Sequence, residues 1–211
     1  MILLLTGTLF TNDCINCERN DINVRRKDYY DNIKRFLDET DLELVFCENS
    51  NADLGEIKEF LNNDRVEILQ FDGNDYPREF GKGYGEVSII NYALENSKKL
   101  STIDYLLKVT GRYYFNYNKI KEDLKNFDYV LYSKETNFEY YYVCTGFFKV
   151  PKYFWINRIS DKDISDKRGH YLENIFAYEL SYERKTFIMI DISLEGISGT
   201  NNKPMEDGLH K

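Results

Sequence analysis

Short apolar runs alternating with longer amphipathic segments constrain this chain more than any other feature. Ile2 to Thr6 is apolar until Thr6-Gly7-Thr8 ends it, as in a strand covered on both faces. From about Arg25 to Glu39, Tyr30, Ile33, Phe36 and Leu37 recur at helical spacing, and Leu42 to Cys47 returns to a strand pattern. A short helix near Glu56 to Leu61, a strand at Val66 to Phe71, a helix near Glu86 to Ser97 and a strand at Tyr105 to Val109 continue the alternation. After Asn118 come a helix reaching Asn126, a strand at Tyr129 to Tyr132, and an aromatic, β-branched stretch at Glu139 to Lys149. A helix over about Gly169 to Leu180 and a strand at Phe187 to Ile192 complete the order. Such a sequence predicts an α/β fold with a mainly parallel central sheet flanked by helices and a mixed C-terminal portion.

With 211 residues and no linker between halves, one domain over residues 1–192 is expected, followed by a flexible tail over 193–211 rich in glycine, serine and asparagine. Met1 to Gly7 carries no basic leader and is too short for a membrane span, so a cytoplasmic protein is expected. A net charge of −8 argues against nonspecific capture of a nucleic-acid backbone, though local cations can still hold a small phosphate ligand. The four cysteines include one Cys14-x-x-Cys17 pair and no second pair for a structural zinc site, so free thiols are expected, with a redox pair as the alternative. The 18 tyrosines and 14 phenylalanines, among many Asn, Lys and Ile residues, fit a compositional bias as well as a binding role.

In open α/β sheets a ligand binds outside the carboxyl ends of the strands. Thr6-Gly7-Thr8, Asp72-Gly73 and Thr110-Gly111-Arg112 are thereby expected on one rim. At period two, Lys108, Thr110 and Arg112 point the same way, and Gly111 lets a backbone come close, so two cations and a hydroxyl can face a diphosphate. The alternative is a strand end with solvated charges. Gly81-Lys82-Gly83-Tyr84-Gly85-Glu86, ahead of a helix, can offer amides to an anion or serve as a plain helix-start turn. It departs from the dinucleotide fingerprint, being G-x-G-x-G rather than G-x-G-x-x-G. His170 and Glu173 share a face of the expected last helix, where an acid can take a hydroxyl proton or simply favour the helix dipole. Asp72, Asp75 and Asp104 form no paired-carboxylate motif, so no metal ligands are assigned.

The order of "ILLLTGT", "GKGYGEVSIINYALENS", "DYLLKVTGRYYF", "CTGFFKVPKYFW" and "GHYLENIFAYEL" resembles the GT-A (Rossmann-like) glycosyltransferases, especially small bacterial enzymes of lipopolysaccharide or capsule assembly, over residues 1 to 192. The resemblance implies a nucleotide-diphosphate sugar donor bound by Thr6, Gly7, Thr8, Asp72, Lys82, Gly83, Lys108, Thr110 and Gly111. It implies a saccharide or lipid-linked saccharide acceptor near Gly146, His170 and Trp155, no nucleic-acid partner, and peripheral association with the inner face of the cytoplasmic membrane. "LLKVTGR" stands where these enzymes usually carry Asp-x-Asp, so a divalent ion such as manganese is in question. Arg112 and Lys108, helped by Lys82, are expected to supply the positive charge directly, with no cofactor required. Glu173 matches the family's catalytic acid, which deprotonates the acceptor in inverting transfer, and Asn174 replaces that acid's partner.

The leading expectation is therefore an inverting glycosyltransferase of surface-glycan synthesis. A sugar nucleotidyltransferase is the alternative among enzymes, although "TGTLFTNDC" lacks the basic glycine-rich loop it needs. A noncatalytic nucleotide- or glycan-binding domain is the alternative outside them.

Overall fold

The computed structural model describes residues 1–11, 17–132, 142–183 and 187–204. Its strands are β1 (Ile2–Gly7), β2 (Glu43–Glu48), β3 (Val66–Gln70), β4 (Tyr105–Thr110), β5 (Tyr129–Tyr132), β6 (Phe147–Pro151) and β7 (Phe187–Ile190). The helices are α1 (Ile22–Glu39), α2 (Gly81–Asn96), α3 (Tyr117–Asn126), α4 (Lys152–Phe154), which runs on into a wide turn at Trp155–Ile159, and α5 (Leu172–Ser181). A 3₁₀ segment at Gly55–Asn62 takes the place of the expected short helix. The sheet runs β3-β2-β1-β4-β6-β5-β7, and β6 is antiparallel to β4 and β5 while every other pair is parallel. The expected mainly parallel sheet with a mixed later part is thus what the chain forms.

Continuous apolar runs make this sheet because both faces are covered. Leu3 and Leu5 pack on one side with Tyr29, Ile33 and Phe36 of α1, whereas Leu4 packs on the other with Ile90 of α2. α1 begins where the Asp21 carboxylate caps the Asn23 and Val24 amides at 2.8 and 3.1 Å. Its buried face is Arg25, Tyr29, Asn32, Ile33 and Phe36, one position round from the stripe that Tyr30 and Leu37 suggest. β1 and β4 lie side by side, yet β1 leads away to β2 while β4 arrives from α2, so the order reverses between them. That is a topological switch point, and it opens a crevice beyond their carboxyl ends.

Several expectations change. α2 starts at Gly81 rather than Glu86, so the glycine run lies inside the helix and Gly83 packs against Leu172 instead of forming an anion loop. Trp155 is fully buried, stacked on Phe148 with ring centroids 5.7 Å apart and donating to Asn91 Oδ1 at 2.8 Å, so it belongs to the core and not to an acceptor groove. Of residues 193–204, read from sequence as tail, Leu194, Ser198 and Gly199 are buried, and Glu195 exchanges two backbone hydrogen bonds of 2.9 Å with Tyr114. Cys14 lies outside the described residues; Cys47 and Cys144 are buried and Cys17 is half-buried. No helix among the described residues is long and apolar enough to cross a membrane.

Phe148 on β6 sits between Trp155 and Phe176, with no exposure. Phe148→Ala should cost about 3–5 kcal/mol of unfolding free energy by urea titration, from lost transfer and an unfilled cavity.

Candidate active site

A cavity of about 270 Å³ occupies the switch point. Thr6, Gly7 and Thr8 from the end of β1 and Thr110 from the end of β4 form its floor. Lys82 and Glu86 of α2, Arg112, Thr145, Gly146 and Glu173 wall it, and Ser198 to Thr200 close it from above.

The turn that presents Arg112 is tightly held. Gly111 N donates to Thr6 O at 2.8 Å, and a Cβ there would come 2.9 Å from that oxygen and 3.1 Å from the Tyr29 ring, so only glycine lets the two strand ends approach. Asn32 Nδ2 bonds the carbonyls of both Gly111 and Tyr113 at 2.8 Å, gripping the turn on each side of Arg112. Arg112 Nη1 donates to Ile197 O at 2.6 Å, while among the described residues its buried Nε has no partner. Arg112 has no carboxylate within ion-pair distance among the described residues.

A second guanidinium underlies the same floor. Arg25 is buried, and its Nε donates to Thr8 O at 2.6 Å and its Nη2 to the Tyr29 hydroxyl at 3.1 Å. That hydroxyl in turn accepts from Thr8 N at 3.0 Å. The loop after β1 is also braced by Glu48, a fully buried carboxylate that accepts from Leu9 N and Ser50 N at 2.9 Å and from Gln70 Nε2 at 3.0 Å. Sequence reasoning missed Arg25, Tyr29, Glu48 and Glu86. The signals were a charged residue on an apolar helical stripe, four positions before Tyr29, and an acid closing the otherwise apolar run of β2.

Of the residues expected at the site, Thr6, Gly7, Thr8, Lys82, Thr110, Arg112, Gly146 and Glu173 meet at the cavity. Lys108 does not line it. Its side chain runs on the same face of β4 as Thr110, whose Oγ1 lies 3.3 Å from Nζ, but has no exposure, being paired with the Glu86 carboxylate and donating to Thr145 O at 2.6 Å behind the lining. Gly83 faces Leu172, Gly111 sits behind the lining, and Asp72 is exposed in a bridge with Ser50. His170 precedes α5, pairs with Ser165 and is exposed 3.5 Å from Asp163, so it does not share a helix face with Glu173. Lys82 Nζ reaches Thr200 Oγ1 at 2.7 Å. Among the described residues no group of three or more His, Cys, Asp or Glu side chains is placed to hold a metal.

Glu173 stands in the first turn of α5, with its Oε1 3.4 Å from Thr145 Oγ1. Burial pushes its carboxyl up to about 7; the Glu86 and Asp166 carboxylates push the same way, against its own backbone N–H and Lys108. A carboxyl titrating there exchanges a proton readily at neutral pH.

The comparisons with known proteins agree with this architecture. No protein-family model and no curated protein matches the chain. Among solved structures, residues 1–349 of S. aureus TarS superpose with a TM-score of 0.50 at 11% identity, over 90% of this chain and 60% of that one. The fold is GT-A-like. The same TarS segment in complex with UDP-GlcNAc matches at 13% identity and TM-score 0.50, over 90% and 59%. The 4-diphosphocytidyl-2C-methyl-D-erythritol synthase from Anaerococcus prevotii matches at 12% identity and TM-score 0.50, over 98% and 92%. The chain therefore spans about three-fifths of the TarS segment and nearly the whole of the synthase.

An acid whose folded pKa is raised lends stability that is complete below its unfolded value, near 4.5, and is lost as pH climbs through about 7. Glu173→Gln should therefore raise the melting temperature relative to wild type at pH 8, on the order of 2 kcal/mol in stability, and lose that advantage below pH 4.5. Thermal unfolding at the two pH values checks it.

Proposed function

We propose that this chain is an inverting glycosyltransferase that moves a sugar from a nucleotide-diphosphate donor to a hydroxyl of a saccharide or lipid-linked saccharide in bacterial surface-glycan synthesis. The observation that carries this reading is one cavity holding a guanidinium with an unpartnered buried N–H and a carboxyl titrating near neutrality. A departing nucleoside diphosphate needs fixed positive charge and a hydroxyl nucleophile needs a base, and these two groups offer both. The TarS structures with UDP-GlcNAc and UDP support a nucleotide-sugar donor.

In the proposed reaction Arg112 and Lys82 meet the diphosphate, and Arg25 adds positive potential beneath the loop after β1. The acceptor oxygen bonds to the anomeric carbon as the bond from that carbon to the diphosphate breaks, the electron pair leaving with the nucleoside diphosphate. Glu173 receives the acceptor's proton. Gly146, beside Thr145, leaves room on the acceptor side. The guanidinium supplies the charge that a divalent ion provides in metal-dependent relatives, and a lipid-linked acceptor would bring the protein to the inner face of the cytoplasmic membrane.

A second reading, a sugar nucleotidyltransferase, is favoured by the near-complete mutual coverage with the A. prevotii synthase. It is disfavoured by the absence of basic residues from Thr6 to Thr11, directly after β1.

Purified protein given a panel of sugar nucleotides should release nucleoside diphosphate, and should continue to do so in excess chelator. Arg112→Ala should lower turnover by roughly a hundredfold or more while staying folded. Glu173→Gln should lower transfer by about a hundredfold or more with donor binding intact. Strict metal dependence together with an active Arg112→Ala would refute the cationic clamp, and an active Glu173→Gln would refute the base. Pyrophosphate release from a nucleoside triphosphate and a sugar phosphate would decide for the second reading.

A further inference from the structure

Lys108, Glu86, Thr145 and Glu173 form a chain of which the proposed reaction uses only the last member. Lys108 Nζ pairs with Glu86 Oε1 and donates to Thr145 O at 2.6 Å. Thr145 Oγ1 then lies 3.4 Å from Glu86 Oε2 and 3.4 Å from Glu173 Oε1, so one hydroxyl stands between two carboxyl groups. A hydroxyl carries a single proton and can donate to only one of them. The other contact is favourable only when that carboxyl is protonated and donates to Oγ1. The Glu86 carboxylate is the counter-charge of a fully buried ammonium, which a proton on Glu86 would strand. The proton that makes both contacts favourable is therefore one that Glu173 gains, as it does when it takes the acceptor's.

We propose that Glu86 is a positioning residue that acts on Glu173 through the hydroxyl of Thr145, receiving the Thr145 proton's hydrogen bond whenever Glu173 holds the acceptor's proton. The inference rests on the reading of Glu173 as the base. The acceptor O–H bond breaks and a Glu173 O–H bond forms; Thr145 keeps its own proton and only turns it from Glu173 to Glu86, so no charge leaves Glu173 for the helix. Buried Lys108 keeps Glu86 available as the acceptor of that turn. The other charged groups around Glu173 are Asp166 in the turn before α5 and the cavity cations Arg112 and Lys82. Of the carboxylates, Glu86 raises the proton affinity of Glu173 more than Asp166 does, after burial itself.

The experiment follows the Glu173 carboxyl carbon by ¹³C NMR against pH in the full chain without substrate, with Glu173→Gln assigning the resonance. In Glu86→Gln the midpoint should fall by on the order of one pH unit, and the acid limb of kcat/KM should move down with it while donor KM holds. Thr145→Val, which removes the acceptor of Glu173's proton, should also lower the midpoint, whereas Thr145→Ser should restore it to the wild-type value. An unmoved midpoint in Thr145→Val overturns the inference, even if Glu86→Gln shifts, because a Coulombic effect of Glu86 alone needs no hydroxyl. Thr145→Val keeps the shape of a buried side chain, so it decides the matter should Glu86→Gln fail to fold. An active Glu173→Gln would instead sink the base assignment and leave the titration result standing.

Discussion

A lysine ammonium with no solvent contact, on the central strand of the sheet, is the constraint around which this site is arranged. Lys108 cannot stay charged at that depth without a partner, and Glu86 reaches it from α2. The pair ties α2 to β4, and the bond from Lys108 to Thr145 O ties both to the segment that enters β6. Three stretches far apart in sequence are thereby fixed at the carboxyl ends of β1 and β4, where the order of the sheet reverses. Removing either charge would leave the other stranded, which is a larger loss than the pair's own net contribution.

The sheet was legible because its evidence is local. Each apolar run from Ile2 to Val109 is bounded by polar residues or glycine, and in β1 and β4 a Thr-Gly pair marks where the strand stops. The placement of Thr6, Thr110 and Arg112 on one rim follows from the same pattern, whereas the aromatic stretch at Glu139 to Lys149 showed only that the later part is mixed, not that β6 spans Phe147–Pro151 and runs antiparallel to β4. What stayed hidden depends on which side of an element faces inward. Strand periodicity puts Lys108 and Arg112 on one face, but β4 ends at Thr110 and the turn that follows re-aims Arg112, so one cation is buried and the other opens to the cavity. Trp155 and His170 were misplaced for a related reason: an aromatic ring and an imidazole carry no mark of whether neighbours bury them, and only the packing of α4 on β6 or the bridge to Ser165 decides.

Arg25 shows the limit in the other direction. A guanidinium on an apolar stripe reads as an exposed terminus until its bonds to Thr8 O and Arg19 O, at 2.6 and 2.8 Å, are known. With Glu48 accepting from Leu9 N, it braces Thr8 and Leu9 directly beyond β1, at the floor of the cavity.

The residues beyond β7 have a bearing on selectivity. Ile197 O already takes one N–H of Arg112, and a Cβ on Gly199 would come 2.6 Å from the same guanidinium. A guest that takes the place of Ile197 O at Nη1 displaces a neutral carbonyl, so a sugar hydroxyl gains little from the exchange whereas a phosphoryl oxygen, bonding roughly twice as strongly to a cation, gains more. The C-terminal strap, which also meets α1 through the Glu195–Arg35 pair, thus holds Arg112 with a neutral oxygen, a weaker partner for a guanidinium than an anion is.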